Sequence, residues 1–455
     1  MTTLHTPLRR LSGHATVPSS KPHMQRALIL GLLTDGETVI FRPSWSAETI
    51  RLLSALRLFG LNVMEETAER LVMRGVGRRL RAPEIPLTCS GSAFMFRTVT
   101  ALACLADGYT IIEGNKAMKN RPVLQFLSFV NDLGAEFENV SDPGALRIRL
   151  RGAKSFGGRT TVDASQSSQF LSSLLMVAPL ADRPVEIGLL HTHPVGESYI
   201  ELTLDLMAKR NVAVRRDGFR YRIPQQAYEP VQMMIPSDLT ALSYLSSCAL
   251  VAREAEITVD NYILSEMNSE NIFLNIARQL GLSLEYSTDK KELIISRAWP
   301  SEFDIDIDGR NIPTVITLLA GSAPFVEGSV TVKGAGHINN HKCQRLSVVI
   351  DQLRRMGCVI EPIFTPEGAV DGFATYGRQT PPGARELESF MDHRVFAGLY
   401  IASLGARAPT HIRGAEYLDD GYPNFLETVE RLAFPRERCR CNAESLVKDD
   451  LAIEY

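Results

Sequence analysis

Hydroxyl, amide and basic side chains recur where apolar, helix-like runs begin. Lys21 and Arg26 stand at the first such run, and Ser167, Ser168 and Gln169 stand at a later one. The start of a helix carries unpaired N–H groups and the positive end of the helix dipole, so it favours anions. Added polar and positive groups at these starts predict a site for phosphate or carboxylate groups.

Further residues of these types stand at comparable points. They are Ser90, Ser92, Arg121, Lys342, Arg345, His393 and Arg394. For any one of them, a helix cap or a surface charge is the ordinary interpretation, because caps and surface ion pairs are common. Their recurrence favours a shared cleft lined for two phosphates, or for a phosphate and a carboxylate.

A repeated plan supplies the elements that would position these residues. Six comparable units, about 70 to 80 residues apart, open at Ser20, Ser90, Ser167, Ser237, Asn311 and Asp392. In each unit a small polar residue opens an apolar helical run, a turn follows, and a β-branched strand closes it. A second amphipathic helix follows, and four copies end before a Gly, which is a usual helix stop.

This plan predicts an α/β (α+β) fold of six βαβαββ-type repeats, three per domain. We expect a first domain at 19–236 and a second formed by 1–18 plus 237–455, because Pro236 precedes the fourth unit. The first 18 residues would then supply a strand to the C-terminal half. Two chain crossings at one hinge would let the halves close on a ligand.

Composition narrows the class of protein. The chain has 455 residues, a formal net charge of -3 and a pI near 6.3, which argue against a dedicated nucleic-acid binder. Seven cysteines without regular spacing favour a reducing compartment, and no run approaches the ~20 apolar residues of a membrane span. The pattern predicts a cytoplasmic protein.

His191-Thr192-His193 with Glu197 lacks a third ligand at known spacing, so no metal is predicted.

Five motifs carry a family resemblance. They are Ser20-Lys21 through Arg26-Ala27-Leu28, Lys119-Asn120-Arg121-Pro122, Ser167-Ser168-Gln169-Phe170-Leu171, Tyr199-Ile200 and Asp392-His393-Arg394. They resemble motifs of the enolpyruvyl transferases over about residues 18 to 430, most closely those of the 5-enolpyruvylshikimate-3-phosphate synthase branch. The branch that acts on UDP-N-acetylglucosamine usually has a cysteine before the Arg-Pro pair, and Gly114 to Asn120 contains none.

The resemblance implies an inside-out α/β barrel in two domains, with small anionic substrates bound between them and no cofactor. Lys21 would contact both substrates. The phosphorylated cyclohexene would be held by Arg26, Ser167, Ser168 and Tyr199. Phosphoenolpyruvate would be held by Gly91, Arg121, Gln169, Arg345 and Arg394. The predicted binding set also includes Ser92, Thr314 and His341.

The chain departs from the family pattern at the groups that move protons. Thr314 stands where the family has Asp, Lys342 where it has Glu, and Asp420 where it has Lys. Pro22 and Gly196 replace family serines. Enolpyruvyl transfer needs a base for the attacking hydroxyl and an acid for the vinyl carbon, with the roles reversed in the elimination.

Three hypotheses follow. The first is enolpyruvyl transfer from phosphoenolpyruvate to a shikimate-like or phosphorylated hydroxylated acid, with Lys21, Lys342 and His393 as catalytic residues and His341 as a further candidate. The second is elimination from a shikimate-type substrate with Lys342 as base, because neighbouring cations lower the pKa of an amine. The third is a non-catalytic binding protein. We take the first hypothesis forward.

Overall fold

The structure is a computed structural model. It describes residues 2–4, 8–120, 122, 124–191, 194–265, 267, 270–340, 343–383 and 385–434. Within these residues the chain forms 23 strands and 12 α-helices, arranged in six small sheets. The predicted mixed α/β fold class is confirmed.

The elements of the first half follow in chain order. They are β1 (Thr2–Leu4), β2 (Arg10–Ala15), α1 (Lys21–Leu32), β3 (Glu37–Phe41), α2 (Ala47–Leu58), β4 (Asn62–Glu66), β5 (Arg70–Arg74), β6 (Leu87–Thr88), α3 (Ala93–Leu105), β7 (Tyr109–Asn115), α4 (Leu124–Asp132), β8 (Glu136–Asn139), β9 (Ala145–Arg151), β10 (Gly158–Val162), α5 (Gln169–Val177), β11 (Val185–Leu189), α6 (Glu197–Ala208), β12 (Arg215–Asp217), β13 (Arg220–Ile223) and β14 (Gln232–Met234).

The second half continues the pattern. Its elements are α7 (Leu239–Val251), β15 (Glu254–Val259), α8 (Ile272–Gln279), β16 (Leu282–Ser287), β17 (Glu292–Arg297), β18 (Asp304–Asp308), α9 (Ile316–Ser322), β19 (Ser329–Lys333), α10 (Arg345–Met356), β20 (Glu361–Phe364), β21 (Val370–Tyr376), β22 (Glu386–Glu388), α11 (His393–Ser403), β23 (Thr410–Arg413) and α12 (Phe425–Ala433).

Five sheets share one topology, in which two parallel strands are followed by an antiparallel pair. Their strand orders are β14-β3-β5-β4, β6-β7-β9-β8, β10-β11-β13-β12, β2-β15-β17-β16 and β18-β19-β21-β20. The sixth sheet has the order β1-β23-β22. Parallel neighbours need a crossover connection, and a helix supplies it within the repeats. This arrangement is the expected βαβαββ unit.

Three strands join their sheets from distant parts of the chain. β2 pairs in parallel with β15, from Arg10 opposite Glu254 to Ala15 opposite Val259. β1 pairs with β23, and β14 returns to pair with β3. The expectation that the N-terminal residues supply a strand to the C-terminal half is confirmed.

The buried apolar side chains form two clusters. One extends from Met24 to Ile235, and the other combines Leu11, Ala15 and Val17 with residues from Leu239 to Leu432. The two chain crossings between them lie side by side, since Ser20 N donates to Pro236 O at 2.8 Å and Asp238 N donates to Pro18 O at 2.8 Å. The domain boundaries at 19–236 and 237–455 stay a prediction.

The glycine helix stops are confirmed. Gly60, Gly134, Gly281 and Gly357 follow α2, α4, α8 and α10 with φ between 99° and 112°. A left-handed residue at this position favours Gly because Gly lacks a Cβ. After α6, where the sequence has no such Gly, Asn211 adopts φ 60° instead. Asn is the residue that next best tolerates this conformation.

One predicted helix start was wrong. The unit that opens at Asn311 does not enter a helix there: Asn311 ends a short 3-10 turn, and α9 begins at Ile316. Pro313 explains the delay, because the residue before a proline is disfavoured in the helical region, and Ile312 has φ -130°. None of the helices in the described ranges is long and apolar enough to cross a membrane.

Candidate active site

A cavity of about 200 Å³ lies where several helix starts meet. Its lining includes twelve residues of the sequence-predicted set: Lys21, Arg26, Gly91, Ser92, Ser167, Ser168, Gln169, Tyr199, Thr314, Arg345, His393 and Arg394. The remaining three predicted residues, Arg121, His341 and Lys342, lie outside the described residues. The lining comes from both halves of the chain.

The charges on the described lining are mostly positive. The described lining contains four cationic side chains, those of Lys21, Arg26, Arg345 and Arg394, and one carboxylate, that of Glu48. Glu48 Oε2 lies 3.0 Å from Lys21 Nζ. Glu48 is in the first turn of α2, and the sequence analysis did not select it. Several cations in a small space favour a ligand that carries more than one negative charge.

Arg26 is the most enclosed of these cations. Its Nε donates to Thr203 Oγ1 at 2.7 Å, and its Nη2 donates to the carbonyl oxygen of Tyr199 at 3.2 Å. Burial lowers its pKa to about 10, so the guanidinium stays charged at neutral pH. Because Arg26 holds the backbone of Tyr199, it links α1 to α6 at the cavity wall.

Arg345 and Asp392 form a buried ion pair at the opposite wall. Arg345 Nε donates to Asp392 Oδ2 at 2.8 Å. Burial by itself would raise the pKa of Asp392, but the charge and hydrogen bond of Arg345, together with the charge of Arg394, hold it well below its ordinary value. Arg345 Nη1 is buried without a hydrogen-bond partner among the described residues. A buried guanidinium donor without a partner, at a cavity wall, indicates a place for a ligand anion.

The same aspartate orients α11 toward the cavity. Asp392 Oδ1 caps the helix by accepting from Arg394 N at 2.9 Å and from Val395 N at 3.3 Å. His393, the first residue of α11, is buried, and burial followed by the charge of Arg394 lowers its pKa well below the ordinary value. The imidazole is therefore neutral at neutral pH, and its lowered pKa makes it a weak base.

Arg97 positions two predicted residues from behind. Its Nη1 donates to Ser167 Oγ at 3.0 Å and to Gln169 Oε1 at 2.5 Å. Its guanidinium lies 4.3 Å from the centroid of the Phe170 ring. The planar fork of arginine suits these simultaneous contacts. Arg97 therefore fixes the start of α5 where it faces the cavity.

Two residues at the site, His337 and Glu270, belong to no motif from which the sequence predicts a role. His337 lines the cavity, and because a carbonyl oxygen only accepts, its Nδ1 donates to Gly334 O at 3.1 Å. Burial lowers the pKa of His337 to about 4. Glu270 lies behind the wall and is 2% exposed; its carboxylate accepts from the Tyr199 hydroxyl at 2.9 Å and from Thr314 N at 3.1 Å.

His191, in the loop after β11, is not part of this cavity lining. His191 Nε2 is 3.8 Å from Asp163 Oδ1, while Thr192 and His193 lie outside the described residues. Among the residues described here, no group of three or more His, Cys, Asp or Glu side chains is placed to hold a metal ion.

Solved structures share this architecture. An EPSP synthase from Acinetobacter baumannii matches with a TM-score of 0.76 and 20% sequence identity, covering 94% of this chain and 98% of its own. A second structure of EPSP synthase from the same organism matches with a TM-score of 0.75 and 19% identity. At this identity the likeness establishes the fold.

Sequence comparison extends the assignment from fold to family. The family model of EPSP synthase (3-phosphoshikimate 1-carboxyvinyltransferase) matches residues 5–429. The 3-phosphoshikimate 1-carboxyvinyltransferase of Methanothrix thermoacetophila is 30% identical, over 93% of this chain and 96% of its own length. That of Methanocaldococcus jannaschii is 27% identical, over 93% and 96%. The chain belongs to the EPSP synthase family.

Proposed function

We propose that this chain transfers the enolpyruvyl group of phosphoenolpyruvate to a hydroxyl group of shikimate 3-phosphate. Its relatives are named for that carboxyvinyl transfer. The observation that carries the proposal is the cavity wall at Arg345, a buried guanidinium whose Nη1 has no partner among the described residues. With Lys21, Arg26 and Arg394 it offers charge for two multiply charged substrates.

The reaction proceeds by addition and then elimination. In the addition, the acceptor oxygen bonds to C2 of phosphoenolpyruvate, its proton leaves, and C3 gains a proton to become a methyl group. In the elimination, the methyl group loses a proton, the C2–O bond to phosphate breaks, and the C2–C3 double bond returns. The products are the enolpyruvyl ether and inorganic phosphate. Each proton transfer needs a positioned acid or base.

The lining suggests how the two substrates divide the cavity. Arg345, Arg394, Gly91 and Gln169 form one set, to which Arg121 would belong, and we assign it to phosphoenolpyruvate. Arg26, Ser167, Ser168 and Tyr199 form the other, and we assign it to shikimate 3-phosphate. Ser92, Thr314 and His341 would complete the substrate-binding residues. Lys21 would contact both substrates. Lys21, Lys342 and His393 are the proposed catalytic residues.

Phosphorus and proton NMR of the purified protein test the proposal directly. With shikimate 3-phosphate and phosphoenolpyruvate, we expect inorganic phosphate to appear together with new vinyl protons of an ether. The control omits the acceptor, since transfer needs both substrates. An unchanged mixture would contradict the proposal. Loss of a ring hydroxyl without consumption of phosphoenolpyruvate would contradict it in favour of elimination.

A further inference from the structure

Glu270 places a buried carboxylate directly behind the cavity wall. It lies between β15 and α8 and is 2% exposed. Besides the bonds from the Tyr199 hydroxyl and Thr314 N, its Oε2 accepts a short hydrogen bond from the Thr314 hydroxyl. Tyr199 and Thr314 both line the cavity. Every hydrogen bond to this carboxylate from the described residues therefore comes from the cavity wall.

The setting of Glu270 is unfavourable for stability alone. No cation among the described residues forms an ion pair with it, and a buried carboxylate without one is costly. Its backbone has φ 64°, a left-handed conformation that residues with a Cβ rarely adopt. Unfavourable features that concentrate at one residue beside a cavity are typical of functional sites.

We infer that Glu270 is a positioning residue for the proposed transfer and acts on the acceptor hydroxyl through Thr314. The inference rests on the proposed function. As the acceptor oxygen bonds to C2 of phosphoenolpyruvate, its proton passes to Thr314 Oγ1, and the hydroxyl proton of Thr314 passes to Glu270 Oε2. Thr314 stays neutral and Glu270 becomes a carboxylic acid. After the elimination the same path in reverse releases the proton to the departing phosphate, which restores the carboxylate.

The surroundings of Glu270 suit an acceptor of protons. Burial raises its pKa, while the bonds from Thr314 and Tyr199 and the charge of Arg394 act in the opposite direction. The Glu270 N–H donates to Ser198 Oγ at 3.2 Å, which holds the backbone to the start of α6. Thr240 Oγ1 lies 3.3 Å from Thr314 Oγ1 and fixes that hydroxyl from the side of α7.

The inference is tested by removing the carboxylate at position 270 and then placing one at position 314, the residue that contacts it. Glu270→Gln keeps the shape and removes the charge, so we expect kcat to fall about a hundredfold, with KM for each substrate changed by less than about threefold. Adding Thr314→Asp to Glu270→Gln returns a carboxylate to the wall, and we expect kcat to recover at least about tenfold. A purely structural role would not give this recovery.

Two further variants complete the design. Glu256→Gln makes the same chemical change at an exposed position of β15, and we expect unchanged kcat. Thr314→Ala leaves Glu270 in place and breaks the path, so it gives the expected loss of kcat even if Glu270→Gln does not fold. Loss of kcat in Thr314→Ala supports the inference.

The outcomes separate this inference from the proposed function. If the unmodified protein turns over both substrates but Glu270→Gln or Thr314→Ala retains full kcat, the inference is overturned and the proposed function stands. A loss in Glu270→Gln that Thr314→Asp does not recover also overturns it. An unmodified protein without turnover overturns the proposed function, and this inference falls with it.

Discussion

Asp392 serves two roles with one carboxylate. One oxygen caps α11, and the other pairs with Arg345 inside the protein, where the two side chains are 0% and 6% exposed. A buried pair of this kind adds little net stability, yet the loss of one partner leaves an uncompensated charge. The carboxylate thus keeps Arg345 charged and in place at the cavity wall.

Asp392→Asn should therefore destabilise the protein strongly. Asn can still cap the helix, but it cannot neutralise Arg345, and we expect the free energy of unfolding to fall by about 3 to 5 kcal/mol. Urea unfolding followed by fluorescence measures the change.

A matched control separates the charge from the cap. Asp238 is also buried and caps α7 by accepting from Ala241 N at 3.0 Å, but it forms no ion pair among the described residues. Its other oxygen, Oδ2, accepts from Lys21 N at 3.0 Å. We expect Asp238→Asn to cost about 1 kcal/mol, because Asn is an equally good cap and only the hydrogen bond from Lys21 N is lost. Equal losses in the two variants would contradict the assignment.

His23 makes stability depend on pH. It is 3% exposed, its Nδ1 lies 2.8 Å from Ser20 Oγ, and burial followed by the charge of Arg26 lowers its pKa to about 3. In the unfolded chain a histidine takes up a proton below about pH 6.5. Stability is therefore lost as the pH falls from about 6.5 toward 3, because only the unfolded state gains the proton.

Between pH 7 and pH 5 we expect this histidine to account for a loss of about 2 kcal/mol. His23→Gln should remove that part of the pH dependence, which urea unfolding at the two pH values measures. His14→Gln is the control, since that side chain is 72% exposed. An unchanged pH dependence in His23→Gln would show that the pKa of His23 is the same in the folded and the unfolded protein.

At the scale of elements, two helices approach until their backbones touch. A Cβ built on Gly398 would lie 2.3 Å from Thr317 O, and one on Gly321 would lie 2.1 Å from Gly398 O. α9 and α11 therefore cross with no room for a side chain at either glycine. This crossing fixes the position of α11 relative to α9, and the first residues of α11, His393 and Arg394, line the cavity.

Gly398→Ala should move α11 away from α9. We expect a loss of about 1 to 3 kcal/mol in the free energy of unfolding, as for overpacked cores. We also expect kcat to fall by a larger fraction than the free energy of unfolding does. Gly144→Ala is the control, because only the side-chain oxygen of Asp142, at 3.3 Å, lies near a Cβ built there. Full activity in Gly398→Ala would contradict the proposed dependence of the cavity on this crossing.

The elements also show what sequence can and cannot predict. Helix stops such as Gly281 were predictable because a left-handed residue is a local requirement. The starts at Lys21 and His393 were predictable because a polar residue before an apolar run is equally local. Glu270 was not predictable, because its role comes from contact with Thr314, 44 positions away in the chain. The delayed start of α9 came from Pro313, whose effect opposed the repeat pattern.

At the scale of the whole molecule, the cavity joins two separately packed halves. Lys21, Arg26 and Ser167 come from one side of the crossings, and Arg345 and Arg394 come from the other. A ligand that contacts both sets couples the halves, and at a hundred times its Kd it stabilises the bound form by about 2.7 kcal/mol.

We therefore expect substrates to slow amide hydrogen exchange in both halves at once. With shikimate 3-phosphate and phosphoenolpyruvate present, peptides at the starts of α5 and α11 should both gain protection, as measured by mass spectrometry. Peptides from β20, away from the cavity lining, serve as the internal control. Protection confined to one half would contradict a shared site.

The pairing of β2 with β15 also sets an order of events during synthesis. Val17 N donates to Asn261 Oδ1 across 244 positions of the chain. At about 5 to 20 residues per second, a ribosome takes on the order of 10 to 50 s to make the missing partner. The first half can pack during that interval, since β14 closes its sheet with β3 before residue 235. The N-terminal strand is thus made first, waits with an unpaired edge that invites aggregation, and is among the last to dock.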